Sequence, residues 1–328
     1  MQRRIADWQG LAIGLGCMNL SHAYGTPPDP ADAGELLLRA HELGVRHFDT
    51  AALYGFGRNE ELVGKVLKPL RGEIFLASKC GMTGVDGKRV IDGRPETLTA
   101  TLEEALRRLQ TDHIDLYYLH RWDKSVPIED SVGTMARMVE QGKIGAIGLS
   151  EVSADTLRKA HSVHPVAAVQ TEYSLWTRNP EIALLDTCRE LGTALVAFSP
   201  LARGFLAGSV TDPEALEPRD IRRNMPRFQS PHFAVNCRLR DGFRELAAEA
   251  GCTMSQLALR WLLERDPCVI PIPGTRSLAH LEENLATASV GVSEDILMTA
   301  SRLIGPNTVS GPRYGAATQA EIDTEDYV

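Results

Sequence analysis

No run of apolar residues in this 328-residue chain approaches the ~20 that a helix needs to cross a membrane, so no membrane partner is expected. Blocks of like charge are missing too. The formal net charge is −8, and basic residues cluster only in short pairs such as Arg107-Arg108 and Arg222-Arg223. That is too small a footprint for a nucleic-acid-binding face. None of the six cysteines (Cys17, Cys80, Cys188, Cys237, Cys252, Cys268) forms a Cys-x-x-Cys pair or stands at zinc-ligand spacing with a histidine. No metal is expected, and reduced thiols in a cytoplasmic protein are the economical reading. Met1 to Asp7 are basic but lead into no hydrophobic signal core. No linker or break in composition interrupts the sequence. Residues 1–328 are therefore expected to form one domain, a size within reach of a single α/β barrel.

What the chain does have is alternation. Short, mostly apolar runs at 11–18, 45–48, 74–79, 114–120, 144–149, 166–170, 194–198 and 268–272 read as strands buried on both faces. Helical stretches at 32–43, 59–67, 95–109, 128–141, 153–161, 180–191 and 255–265 fall between them, and glycines at 44, 142 and 192 stop three of these. Eight β/α units predict a closed (β/α)8 TIM barrel. The glycine-rich first strand contains Gly14-Leu15-Gly16, but Asn19 stands where a third glycine belongs. Pro27, Pro28 and Pro30 follow in place of an immediate helix, so a dinucleotide fold of the doubly wound type is excluded. The stretch from about 202 to 236, rich in Gly, Pro, Arg and Asn, reads as a long functional loop. The polar tail, about 306–328, is expected on the surface or over a pocket.

Polar residues end three of these strands: Asp49, Lys79 and His120. Tyr54 follows Asp49 through a small-residue bend, and Gly55 and Gly57 let the chain turn into the next helix. Taken alone, Asp49 and Tyr54 are equally a capping carboxylate and a half-buried ring. In a parallel barrel, however, the strand ends meet on one rim, where catalytic residues sit. A lysine and a histidine at the ends of apolar strands are also expensive unless paired.

With these residues in view, the chain resembles the aldo-keto reductase superfamily over about residues 11–289. Phe48-Asp49-Thr50-Ala51-x-x-Tyr54-Gly55 with Glu60, Ser78-Lys79 and Leu119-His120 match that family's Asp-Tyr-Lys-His tetrad. Ile147-Gly148-Leu149-Ser150, Gln170-x-Glu172-Tyr173-Ser174, Ser199-Pro200-Leu201-x-x-Gly204 and Ile272-Pro273-Gly274-Thr275 match its cofactor-binding series. The closest likeness is to the bacterial and plant branch that reduces small aldehydes and ketones. The sequence departs from that pattern in three places. Glu151 stands where many members carry an asparagine, residues 18–24 replace a glycine-containing turn, and Gly274 replaces a common lysine.

The resemblance implies NADPH/NADP+ as cofactor and a small carbonyl compound as substrate. Tyr54 is then the general acid, tuned by Lys79, which Asp49 holds, while His120 orients the substrate oxygen. By the same resemblance Tyr173 stacks on the nicotinamide, and Ser150 and Gln170 hold its amide. Ser199, Leu201, Arg203 and Gly204 lie along the pyrophosphate. Gly274, Thr275, Arg276, His280, Glu283 and Asn284 surround the adenosine phosphate, although Arg276 alone reads equally as a solvated charge. Tyr24, Trp122 and Trp176, with the tail around Tyr314, are candidate pocket aromatics. Two other functions share these features: a cofactor-sensing regulatory subunit on the same fold, and a metal-dependent barrel hydrolase. The second lacks a His-x-His pair on the first strand.

Overall fold

The computed structural model describes residues 1–85 and 88–327. It opens with an antiparallel hairpin, β1 (Gln2–Ile5) and β2 (Trp8–Leu11). The chain then runs β3 (Leu15–Gly16), α1 (Pro30–Glu42), β4 (His47–Asp49), α2 (Arg58–Leu67) and β5 (Phe75–Cys80). A second hairpin follows, β6 (Met82–Val85) and β7 (Lys88–Ile91), and leads to α3 (Pro95–Leu109). Next come β8 (Ile114–Leu119), α4 (Ile128–Glu140), β9 (Ile144–Ser150), α5 (Ala154–Val163), β10 (Val166–Glu172), α6 (Leu184–Leu191) and β11 (Ala194–Phe198). The last part holds α7 (His232–Glu249), α8 (Met254–Leu263), β12 (Val269–Pro271), α9 (Leu278–Ala286), α10 (Glu294–Leu303) and the short α11 (Ala316–Gln319).

Eight strands form one sheet in the order β12-β11-β10-β9-β8-β5-β4-β3, with every neighbouring pair parallel. The Gly14 N–H donates to the Pro271 carbonyl at 3.0 Å and brings the two ends of the sheet together. Gly16 makes the seam possible, since a Cβ there would stand 2.9 Å from the Ile272 carbonyl. This is the expected (β/α)8 barrel. Its interior is filled by Phe75, Ala77, Leu116, Tyr118, Ala168, Val196 and Ile270, among others. Ile5 of the N-terminal hairpin joins that cluster, and Trp8 stacks on Phe75 at 4.7 Å. The hairpin therefore plugs the N-terminal end, so the open end is the rim where the strands finish. A larger core between sheet and helices buries residues such as Leu36, Val63, Leu102, Met135 and Leu157.

Several expectations need correction. The first strand is not a run over 11–18 but two residues, Leu15–Gly16, and the chain before it belongs to the plug. Residues 202–236 are not one loop. Short 3-10 turns occupy part of the stretch, and α7 begins at His232. The glycine-rich segment after β5 holds the β6/β7 hairpin. Helix α1 starts at Pro30, because Asp29 caps it by accepting from the Ala31 N–H at 2.8 Å. Helix α6 starts at Leu184, after a separate 3-10 turn at Asn179–Glu181.

Candidate active site

The registers of β4, β5, β8, β9 and β10 set the site. Asp49 pairs with Ala77, Lys79 with Tyr118 and Ser150 with Gln170, and from these strand ends the Lys79 and Gln170 side chains both reach Asp49. Beyond β4 the chain stays on β5, with the Thr50 N–H bonded to the Ala77 carbonyl at 2.9 Å and the Ala52 N–H to the Lys79 carbonyl at 3.4 Å. A left-handed run through Gly55, Phe56 and Gly57 (φ 58°, 54° and 92°) then reverses it into α2. Gly57 is required there. A Cβ would meet the Arg108 side chain at 2.8 Å, and φ of +92° strains any other residue. The turn leaves Tyr54 above Lys79.

Lys79 is completely buried, and its ammonium commits all three hydrogens. It donates to Asp49 Oδ1 at 2.5 Å, to the Thr50 carbonyl at 2.8 Å and to the Tyr54 hydroxyl at 3.3 Å. The other Asp49 oxygen accepts from Gln170 Nε2 at 2.7 Å. Tyr54 thus receives a hydrogen bond from Lys79, and its own proton is left to point elsewhere. The His120 ring lies edge-on to the Tyr54 ring at 5.8 Å, and its Nδ1 is buried without a partner.

Burial pulls the Lys79 pKa down, but Asp49 and Tyr54 together carry it above the ordinary value. Burial pushes the Tyr54 phenol up, and the Lys79 ammonium pulls against that without overcoming it. The expectation that Lys79 makes Tyr54 a stronger acid is therefore right in sign for the pair and wrong in net direction. Loss of water around the phenol dominates. Burial, Lys79 and Arg121 hold His120 far below the usual histidine range, so it is neutral at pH 7.

These groups open into a cavity of about 970 Å³. Asp49, Tyr54, His120, Ser150 and Gln170 line one end. Ser199, Leu201, Arg203 and Gly204 line its wall, as do Gly274, Thr275, Arg276, His280, Glu283 and Asn284. Ser199, Ala202, Arg203 and Gly204 all have positive φ, a crowded turn of the kind that stores strain at ligand sites. Arg276 is exposed and donates to the Thr26 carbonyl at 2.9 Å, while the Asn284 Oδ1 acceptor is buried with no partner.

Three aromatic expectations fail. Tyr173 does not face the cavity. It is fully buried between sheet and helix, edge-on to Trp261 at 5.7 Å, with its hydroxyl donating to Glu181 at 2.7 Å. Phe198, at the end of β11, does stand on the cavity wall. Trp176 is core, stacked on Phe205 at 4.1 Å, because the long loop supplies its own aromatic cluster. Trp122 ties its indole N–H to the Val126 carbonyl at 2.9 Å and does not line the cavity. Tyr24 and Tyr314 do line it. Arg203 lies where expected, but its guanidinium is taken by Glu172 in two bonds of 2.8 Å. Glu151, whose role the sequence leaves open, pairs with Arg313 of the tail at 2.7 Å and accepts from Thr171 and the Glu172 N–H at 2.9 Å. Sequence reasoning also missed His22, Arg89 and Arg121 on the cavity wall. Arg121 could have been found from its place beside His120, whereas Arg89 sits on a hairpin with no sequence signal.

The profile of the Aldo/keto reductase family matches residues 12–299. A curated relative, "Probable aldo-keto reductase 1" of Glycine max, is 41% identical over 305 residues, which cover 92% of this chain and 88% of that protein. Among solved structures, a glycerol dehydrogenase from Gluconobacter oxydans aligns with a TM-score of 0.85 at 28% identity, over 95% of this chain and 97% of its own. An aldo/keto reductase from Klebsiella pneumoniae, crystallised with NADP and acetate, aligns with a TM-score of 0.72 at 26% identity, over 96% and 98%.

Proposed function

Because the chain belongs to the aldo/keto reductase family, we propose that it is an NADPH-dependent oxidoreductase that reduces small aldehydes or ketones to alcohols, with Tyr54 as general acid. The observation that carries this reading is the commitment of Lys79. Its ammonium donates to the Tyr54 oxygen at 3.3 Å, so the phenol keeps its proton for a group in the cavity. A carbonyl oxygen gaining negative charge takes that proton, while the Lys79 charge stabilises the phenolate left behind. Neutral His120, beside Tyr54, donates to the same oxygen and fixes its direction. In the reverse reaction the phenolate takes the alcohol proton.

The residues present fit a nicotinamide dinucleotide. Ser150 and Gln170 offer polar groups at the tetrad end, and Phe198 offers the ring face that Tyr173 does not. The Ser199 to Gly204 turn offers backbone N–H groups for a pyrophosphate. Arg276, Thr275 and the N-terminus of α9 offer positive potential for a 2′-phosphate, and the orphaned Asn284 Oδ1 offers an acceptor for an adenine amine. When bound, the nicotinamide supplies the hydride. The Klebsiella relative, crystallised with NADP, supports this choice.

The test follows absorbance at 340 nm, the NADPH band, with a panel of aldehydes and ketones, and runs NADH in parallel. Oxidation of NADPH that depends on the carbonyl compound is expected. A wild type that prefers NADH, or that oxidises neither with any member of the panel, contradicts the proposal.

A further inference from the structure

The tetrad end of the cavity carries positive charge that proton and hydride transfer do not use. Arg121 follows His120 in the chain and lines this end. One of its terminal nitrogens donates to the His120 carbonyl at 2.7 Å and to the Ser150 hydroxyl at 3.2 Å. Its Nε is buried with no partner, and among the described residues no carboxylate bonds to it directly, although Glu151 lies within reach of its charge. A second guanidinium, Arg89 on β7, also lines the cavity. Its Nη2 is held by Glu321 of the tail at 2.6 Å, and Nε and Nη1 make no bond to a described residue. His22 stacks beside Tyr54 at 6.2 Å and completes this end. Arg121, Arg89 and His22 all depress the His120 pKa, so all three lie within electrostatic reach of the imidazole that meets the substrate.

Negative charge is scarce there. Among the described residues, the carboxylates lining the cavity are Asp49 and Glu283. Asp49 has both oxygens taken, by Lys79 and Gln170. Glu283 belongs to α9, as does His280, and Arg276 lies just before the N-cap Ser277. A partly buried guanidinium with unfilled donors is costly unless an anion completes it, and its planar fork matches a carboxylate or phosphate. Arg121 is such a group, whereas Arg89 is exposed and already paired with Glu321, so it adds positive charge to the cavity wall without a buried unfilled donor.

We propose that the carbonyl substrate carries a carboxylate or phosphate group, held by Arg121 and Arg89 while its carbonyl lies at Tyr54 and His120. This rests on the reductase reading and narrows it to anionic aldehydes and ketones.

The experiment compares matched aldehydes at saturating NADPH: succinic semialdehyde against butanal, 4-carboxybenzaldehyde against 4-methylbenzaldehyde, and glyceraldehyde 3-phosphate against glyceraldehyde. The readout is the ratio of kcat/KM within each pair, in wild type, Arg89→Gln and Arg121→Gln. In wild type at least one kind of anionic member is favoured by about tenfold or more, the effect of a charge-assisted hydrogen bond. That ratio falls in both variants, whatever happens to the absolute rates. Preference confined to the carboxylates or to the phosphate says which anion the site reads, and supports the inference either way. Turnover of neutral aldehydes with ratios at or below one, or ratios that neither variant changes, overturns the inference and leaves the reductase reading standing. A chain that reduces no member of any pair overturns both.

Discussion

Lys79 and Asp49 meet at 2.5 Å on the ends of β4 and β5. On the same rim, around the ends of β9 and β10, Glu172 and Glu151 meet Arg203 and Arg313 at 2.7 to 2.9 Å. Both sets are buried, and in the first Asp49 and Tyr54 carry the Lys79 pKa above its ordinary value despite that burial. Burial works against Glu172 and Glu151, yet Arg203 and Arg313 with Glu172, and Arg313 and Arg121 with Glu151, keep both carboxyls below the ordinary range. Perturbed ionisation alone therefore does not tell the sets apart, although it is a usual flag for a functional site. What differs is what is left over. The second set is spent mostly on itself and on Tyr314, tying the turn after β11 and the tail to two strand ends, and its leftover is Arg313 Nη1, a buried nitrogen without a partner. The first set ends at a phenol whose proton is uncommitted and faces a cavity. One buried charge set orders chain segments, and the other primes a proton.

The comparison breaks most visibly at the phenol. Tyr54→Phe keeps the ring and removes the proton, and carbonyl reduction should fall by roughly 10²–10⁴-fold, the worth of general acid catalysis. Cofactor affinity, read by fluorescence titration, should hold. Next in size come Lys79→Met and Asp49→Asn. Each should lose activity, and the double variant should lose less than the product of the two, because the pair acts as one unit. Additive losses in log kcat would mean that the two act separately.

The second set should respond in stability. Glu172→Gln leaves two buried guanidinium groups short of a carboxylate, so denaturant melts should show a loss of about 3–5 kcal/mol. Because the folded pKa values of Glu172 and Glu151 lie below their unfolded ones, their contribution is complete above the unfolded carboxylate value of about 4.3. It is lost as pH falls through the folded values. Wild-type stability should therefore drop in acid, and the drop should be shallower in Glu172→Gln. The smallest expected effect is at the far end of the cavity. Arg276 is exposed, so Arg276→Ala should weaken NADPH binding by only about 1 kcal/mol and leave NADH binding nearly unchanged.

The first set was legible in the sequence because its members end or closely follow strands that periodicity reveals. The second was not. Glu172 and Arg313 lie 141 residues apart, and nothing local announces their contact. The same limit explains Tyr173 and Phe198. Both follow or end apolar strands, and only the packing of Trp261 and Glu181 outside the sheet decides which ring enters the cavity. The plug hairpin escaped because its four-residue strands are too short to show a period. Helix α7 escaped because its start is crowded with the Pro and Arg residues of the preceding loop.

The division between the two sets is tested most directly by single-turnover hydride transfer, measured with NADPH prebound and an aldehyde mixed in, on Tyr54→Phe and Glu172→Gln, alongside their melting curves. Tyr54→Phe should lose the chemical step and keep its melting temperature. Glu172→Gln should melt earlier and transfer hydride at close to the wild-type rate. A Glu172→Gln variant that melts like wild type but has lost the chemical step, or a Tyr54→Phe variant that keeps it, would contradict the account.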